Sequence, residues 1–199
     1  MADYTGFVEA GEAFVELLRD NLTPEPISQR DLISLCSPHE SENNQLTVCL
    51  YQIEEDPFNN RDGNFYQYSQ DLQRAQPTRY HLNFLITAHS KAPSQLREAD
   101  QYRMMGSVVQ VVKDNPRLAD SYIKGSIADS REELHLSLER PNFDQLIKIW
   151  NNTSSAYKLS VVVRLDSVSI ESSRTRKISR VTEVEIGINE RIQSGESND

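Results

Sequence analysis

Apolar residues in this chain switch repeatedly between helical and strand spacing, and that alternation restricts it to a mixed α and β architecture. Residues 4–20 carry Phe7, Phe14, Leu17 and Leu18 at helical spacing, with Val8, Val15 and Leu22 close by and Glu9, Glu12 and Glu16 on the far side. Pro24 and Pro26 stop that helix, because proline has no amide proton and clashes with the preceding turn. A short strand is expected over 30–36. Leu46–Glu54 is rich in strand formers and reads as a well-buried strand. Tyr80–Ala88 alternates well enough to be a strand with one apolar face.

Residues 94–114 give the strongest helical pattern. Ser94 can cap its start, and Leu96, Met104, Met105, Val108, Val109, Val111 and Val112 build an apolar stripe. Asn115-Pro116 closes it. A strand over 133–138 precedes a helix over 143–151 that presents Phe143, Leu146, Ile147 and Trp150. Two strands, 158–170 and 179–188, come last; residues 171–178 between them hold no Gly, Asn or Pro, which favours a longer exposed loop over a tight turn. There is no internal repeat. This order predicts an α+β fold, a mainly antiparallel or mixed β-sheet flanked by helices, rather than a parallel doubly wound one. Residues 1–188 are expected to form one domain and 189–199 a polar, frayed tail.

Composition narrows the function classes. The 199 residues carry 21 Lys+Arg against 30 Asp+Glu, a formal net charge of -9. Such a surface repels a phosphate backbone, so no nucleic-acid partner is expected. No apolar run approaches the roughly 18 residues needed to span a bilayer, and the N-terminus lacks the basic and apolar regions of a secretion signal. The expectation is a chain that is cytoplasmic on synthesis, with no membrane partner. Two cysteines, Cys36 and Cys49, are too few for a disulfide framework or a zinc site and read as small buried hydrophobes.

Motifs for catalysis are missing. The seven glycines are scattered and form neither a Walker A loop, a Gly-x-Gly-x-x-Gly turn nor a Gly-x-Ser-x-Gly elbow. His81 and His89 share strand parity, but about 27 Å of extended chain separates them, too far for one metal. Acid pairs such as Glu132-Glu133 are adjacent and point apart. No catalytic residue, cofactor site or metal site is assigned, and the chain is read as a non-enzyme.

Two segments suit contact with other proteins. Residues 55–79 form the least regular stretch, with Asp56-Pro57, Asn59-Asn60-Arg61-Asp62-Gly63 and Gln76-Pro77, yet they hold Phe58, Phe65, Tyr66 and Tyr68. A solvated linker has no use for four aromatics, so the segment is a candidate contact surface, with Glu55, Asp56, Asn59 and Arg61 as its candidate partner-binding residues. The second segment is basic in an otherwise acidic chain: Arg174, Arg176, Lys177 and Arg180 suit docking onto an acidic partner.

The helix sequence Arg97–Leu118 resembles the long helix of the cap, or tail-terminator, proteins of extracellular contractile injection systems, the phage-tail-like particles of the antifeeding-prophage and virulence-cassette kind. Leu46–Glu54 leading into Glu55-Asp56 and Asn59-Asn60-Arg61, Leu82–Ala88 ahead of the helix, Ile147–Asn151 and Leu159–Ile170 agree in order and spacing. The resemblance covers about residues 5–188 and implies a structural role: six copies in a ring that caps tube and sheath away from the baseplate. It implies self-association and tube and sheath proteins as partners, in a particle released from the cell. The competing readings are another ring component (tube, sheath or baseplate adaptor) and a small ligand-binding or hydrolase domain.

Overall fold

The computed structural model describes residues 3–40, 42–58, 64–130, 132–151 and 157–178. The expected strand 179–188, the tail 189–199, and Asn59, Arg61 and Arg180 lie outside the described residues.

The first helix, α1 (Gly6–Leu22), buries Ala10, Ala13, Phe14, Leu17 and Leu18. A single helical turn at Arg30–Leu32 leads into β1 (Ile33–Leu35), followed by β2 (Leu46–Glu55). Next come β3 (Phe65–Gln67), β4 (Leu72–Ala75), β5 (Thr78–Ala88) and α2 (Arg97–Asp114). A short α3 (Ser126–Ser130), β6 (His135–Glu139), α4 (Phe143–Asn151), β7 (Ser160–Ile170) and β8 (Thr175–Lys177) complete the described elements. Five strands form one sheet in the order β1-β2-β5-β7-β6, and three form a second in the order β3-β4-β8. Every pairing is antiparallel except β1 with β2. The α+β class and the mixed sheet expected from the sequence are both present.

The pleat of the large sheet separates two cores. On one face Leu82, Phe84 and Ile86 of β5, Val163 and Leu165 of β7, and Leu46 and Val48 of β2 pack with α1 and α2. The Phe14 and Phe84 rings meet at 5.7 Å between centroids. The opposite face carries a small cluster in which Leu85 and Val162 pack with Trp150 of α4, backed by Tyr51, Leu146 and Ile149. The alternation of β5 thus serves both faces, because helices cover each side.

Sequence patterning misses local geometry in three places. Ser94 does not cap α2: the helix starts after Leu96, which supplies no side-chain cap, and Leu96 itself is 60% exposed rather than part of the stripe. Two register shifts interrupt the ladders, at Tyr51 in β2 and opposite His81 in β7. At the second, Ser167 takes a left-handed φ of 69°, the conformation a bulged residue needs to turn the following side chains back toward the core. Val168 is accordingly fully buried. The cysteines are half-buried rather than enclosed.

Polar groups also fix the ends of elements. The Glu9 carboxylate accepts hydrogen bonds from Thr5 Oγ1 (2.7 Å), Ser126 Oγ (2.8 Å) and the Ile127 amide (3.0 Å), tying α1 to α3. Burial alone would raise its pKa; these donors hold it below the usual value. Gly125 sits against this carboxylate with φ +69°, where an added Cβ would lie 2.6 Å from Glu9 Cδ, so both backbone and space require glycine.

At the other end of the sheet His89 Nε2 lies 3.0 Å from the fully buried Thr47 hydroxyl, and Lys158 Nζ lies 3.2 Å from His89 Nδ1. Burial, then the Lys158 and Lys91 charges, lowers the His89 pKa to about 4. The unfolded imidazole binds its proton near pH 6.5 and the folded one only near 4. The stability from a neutral His89 is therefore complete above the unfolded value and is lost as pH falls through that window, by about 3 kcal/mol. An NMR titration is expected to show the His89 ring unchanged from neutral pH down to about 5. A midpoint at the unperturbed value would contradict this account.

Candidate partner-binding surface

The two segments assigned to contacts, far apart in sequence, build one structure. Residues 65–75 fold into the β3–β4 hairpin, and β8 from the basic segment adds to its outer side, with Gln73 opposite Arg176 and Arg74 opposite Thr175. The stretch read as irregular therefore contains two strands, and the expected exposed loop contains a third. Short strands with few apolar residues carry too weak a signal to be read from the sequence alone. Their pairing is non-local: the Ala75 amide donates to the Arg174 carbonyl and the Ile178 amide to the Asp71 carbonyl.

This small sheet continues the large one. Its strands β4 and β8 prolong the paths of β5 and β7, whose last paired residues are Thr78 and Ile170. Gln76-Pro77 separates β4 from β5 because proline cannot donate to a ladder. A three-stranded sheet with little burial is marginal by itself, so side chains and the covalent continuation must hold it. Register places Tyr66, Arg74, Thr175 and Lys177 on one face and Phe65, Gln73, Ala75 and Arg176 on the other.

An arginine covers an aromatic ring on each face. Arg74 stacks 3.8 Å from the Tyr68 centroid and pairs with Glu171, while the Tyr66 hydroxyl donates to Glu171 at 3.4 Å. On the other face Arg176 stacks 4.3 Å from the Phe65 centroid and donates through Nε to Gln73 at 2.7 Å. These cation–π contacts account for two of the four aromatics in the 55–79 segment, Phe65 and Tyr68, which support guanidinium groups, while Phe58 is exposed. Arg74 is a member of the surface that sequence reading missed, since nothing local to it shows Glu171 nearby.

The charges on the two faces differ in availability. Glu171 neutralises Arg74, whereas Arg176 has neutral partners, and Arg174, Arg176 and Lys177 are all exposed. Among the described residues these three form no ion pair within 4.0 Å. The remaining candidates sit at the base of the sheet. Glu55 ends β2 opposite Tyr80 and is exposed. Asp56 is buried; its amide donates to the Arg79 carbonyl (2.9 Å) and its carboxylate accepts from the Phe58 amide (2.9 Å), so it fixes where the segment leaves β2.

Beside this base, Arg164 of β7 donates to Asp166 at 2.7 Å and lies 3.7 Å from Glu54 and 3.9 Å from Glu139. His81 Nδ1 lies 2.6 Å from Asp166. The resulting patch carries more carboxylates than cations. Among the described residues no group of three or more His, Cys, Asp and Glu side chains is placed to hold a metal ion. A groove of about 480 Å³ along α1 is lined by Glu9, Glu12, Glu16, Arg19, Tyr122 and Lys124. Arg19 and Arg30 pair with Glu16, and Glu9 is committed to α3. No helix among the described residues is long and apolar enough to cross a membrane.

A mixed sheet clothed by helices on both faces, followed at one end by a small basic arginine–aromatic sheet, places this protein in the class of two-sheet α+β folds. The chain belongs to the Pvc16 N-terminal domain family, whose model matches residues 9–183. Its fold is similar to that of the sheath/tube terminator of the PVC extracellular contractile injection system in the extended state. That match has a TM-score of 0.66 at 18% identity, covering 98% of this chain and 67% of the other. It is also similar to the tube-terminating cap of the anti-feeding prophage, with a TM-score of 0.60 at 17% identity over 91% of this chain and 61% of that one. No curated protein sequence matches the chain. Both structural neighbours are terminator caps, the class that the sequence resemblance implied.

Proposed function

We propose that this chain is a subunit of the terminator cap of a contractile injection particle, forming a homohexameric ring that ends the tube and sheath and limits their polymerisation. The observation that carries the reading is the likeness to a sheath/tube terminator over 98% of this chain. Family membership over residues 9–183 supports it independently. The part is structural rather than catalytic, and its partners are copies of itself and the tube and sheath proteins, without nucleic acid or membrane.

The geometry suits such a part. A ring subunit needs a rigid body and elements that reach its neighbours. Here the two-sided core supplies the body and the β3–β4–β8 sheet the reach. Its exposed Arg174, Arg176 and Lys177 would dock on an acidic surface of tube or sheath, where charges steer and orient more than they add affinity. Glu55 at the base, with Asn59 and Arg61, would complete the contact with neighbours, and Arg180 would join the docking cations. Asp56, expected among the contact residues, is buried and instead fixes the base of the segment.

Electron microscopy of the purified chain, alone and with its particle, tests this. The expected images are discrete six-fold rings and one ring at a single particle tip, and particles made without the chain are expected to vary in length. Open filaments from the purified chain would identify a tube protein instead and overturn the proposal.

A further inference from the structure

The two cysteines occupy a position that the cap reading does not use. Ile33, Ser34 and Leu35 of β1 pair in parallel with Leu46, Thr47 and Val48 of β2. The ladder runs one step further: the Cys36 amide donates to the Val48 carbonyl at 3.0 Å, the parallel step that sets Cys36 opposite Cys49. Leu35 lies against Gly11 of α1, and Val48 is buried in the same core. By alternation the next residue on each strand points to the other face, so both thiols emerge side by side. Each is half-buried and free.

From this register we infer that Cys36 and Cys49 form a reversible disulfide that staples the edge strand β1 to the sheet under oxidising conditions. Neighbouring strands lie about 4.8 Å apart, within the 4.4–6.8 Å Cα separation that a disulfide spans. Cys36 stands at the end of a three-residue edge strand, where the backbone can make the small approach that bond formation asks. The thiol contacts are weak ones: Asn44 Nδ2 approaches Cys36 Sγ at 3.5 Å, and Cys49 Sγ lies 3.9 Å from the Leu50 carbonyl. Burial and then the Glu40 carboxylate raise both thiol pKa values. The raised values slow closure, and a thiol-rich compartment keeps the pair reduced.

Closure needs an oxidant, and a low-molecular-weight disulfide supplies it. One thiolate attacks glutathione disulfide, releasing one glutathione and leaving a mixed disulfide on the protein. The second thiolate displaces the other glutathione, so the protein loses two hydrogens and two glutathione thiols form.

The test is incubation of the full chain with glutathione disulfide at mildly alkaline pH. The expected product has lost two hydrogens by intact mass and yields a peptide linking Cys36 to Cys49. Its Tm rises by on the order of 5 °C, and dithiothreitol reverses the change. Cys36→Ser and Cys49→Ser are each expected to retain one glutathione without that rise. Wild-type protein that keeps two glutathione adducts, or that links between chains, would overturn the inference.

Discussion

Replacing Arg174, Arg176 and Lys177 with glutamate is expected to abolish stable capping while leaving the subunit folded. All three side chains are exposed and make no ion pair with the described residues, so their charge contributes little to holding the core. The exception is Arg176, whose contacts with Phe65 and Gln73 support one face of the small sheet. A Lys177→Glu single variant separates docking from that local support. Reversing three charges at a complementary contact turns attraction into repulsion. Affinity for assembled tube and sheath is expected to fall at least tenfold, about 1.4 kcal/mol, with slower association. Added salt is expected to weaken wild-type binding and to lessen the difference between the two proteins. Counting caps on purified particles, with circular dichroism to confirm folding, makes the measurement. Triple-variant particles with normal cap occupancy and length would remove the small sheet from the docking contact.

The second large effect is on stability. Phe84 is fully buried on the central strand β5, against Phe14 of α1 and opposite Leu50 and Val163 of its neighbours. Phe84→Ala removes a ring where helix and sheet meet and leaves a cavity that close-packed neighbours cannot fill, at a cost of about 4 kcal/mol. Net domain stabilities are about 5–15 kcal/mol, so a Tm lower by roughly 10 °C is expected in thermal denaturation. Leu85→Ala probes the opposite face, where, among the described residues, Leu85, Trp150 and Val162 form the buried cluster. It is expected to cost about half as much, since α4 can settle onto the gap. Equal losses from the two variants would mean that the faces contribute alike, contrary to the packing described.

The sequence and the structure divide the work clearly at particular residues. The helices expected over 94–114 and 143–151, and the strands expected over 46–54, 80–88 and 158–170, match α2, α4, β2, β5 and β7 to within three residues because each carries a strong apolar period. The candidate surface was legible only as two unrelated signals, aromatics in one segment and cations in another. What joins them is the pairing of Gln73 with Arg176, more than a hundred positions apart, and three-residue strands advertise no partner. Arg74 escaped notice for the same reason: its significance lies in Tyr68 and Glu171.

By itself, then, the amino-acid order determined the α+β class, the long elements and their apolar faces, because local spacing and propensity act within a few residues. Only the tertiary structure decided which strands adjoin, where β2 and β7 bulge, and that arginines cap the rings of Phe65 and Tyr68. Those depend on contacts between distant segments, whose free energy appears only once the chain has closed the intervening loops.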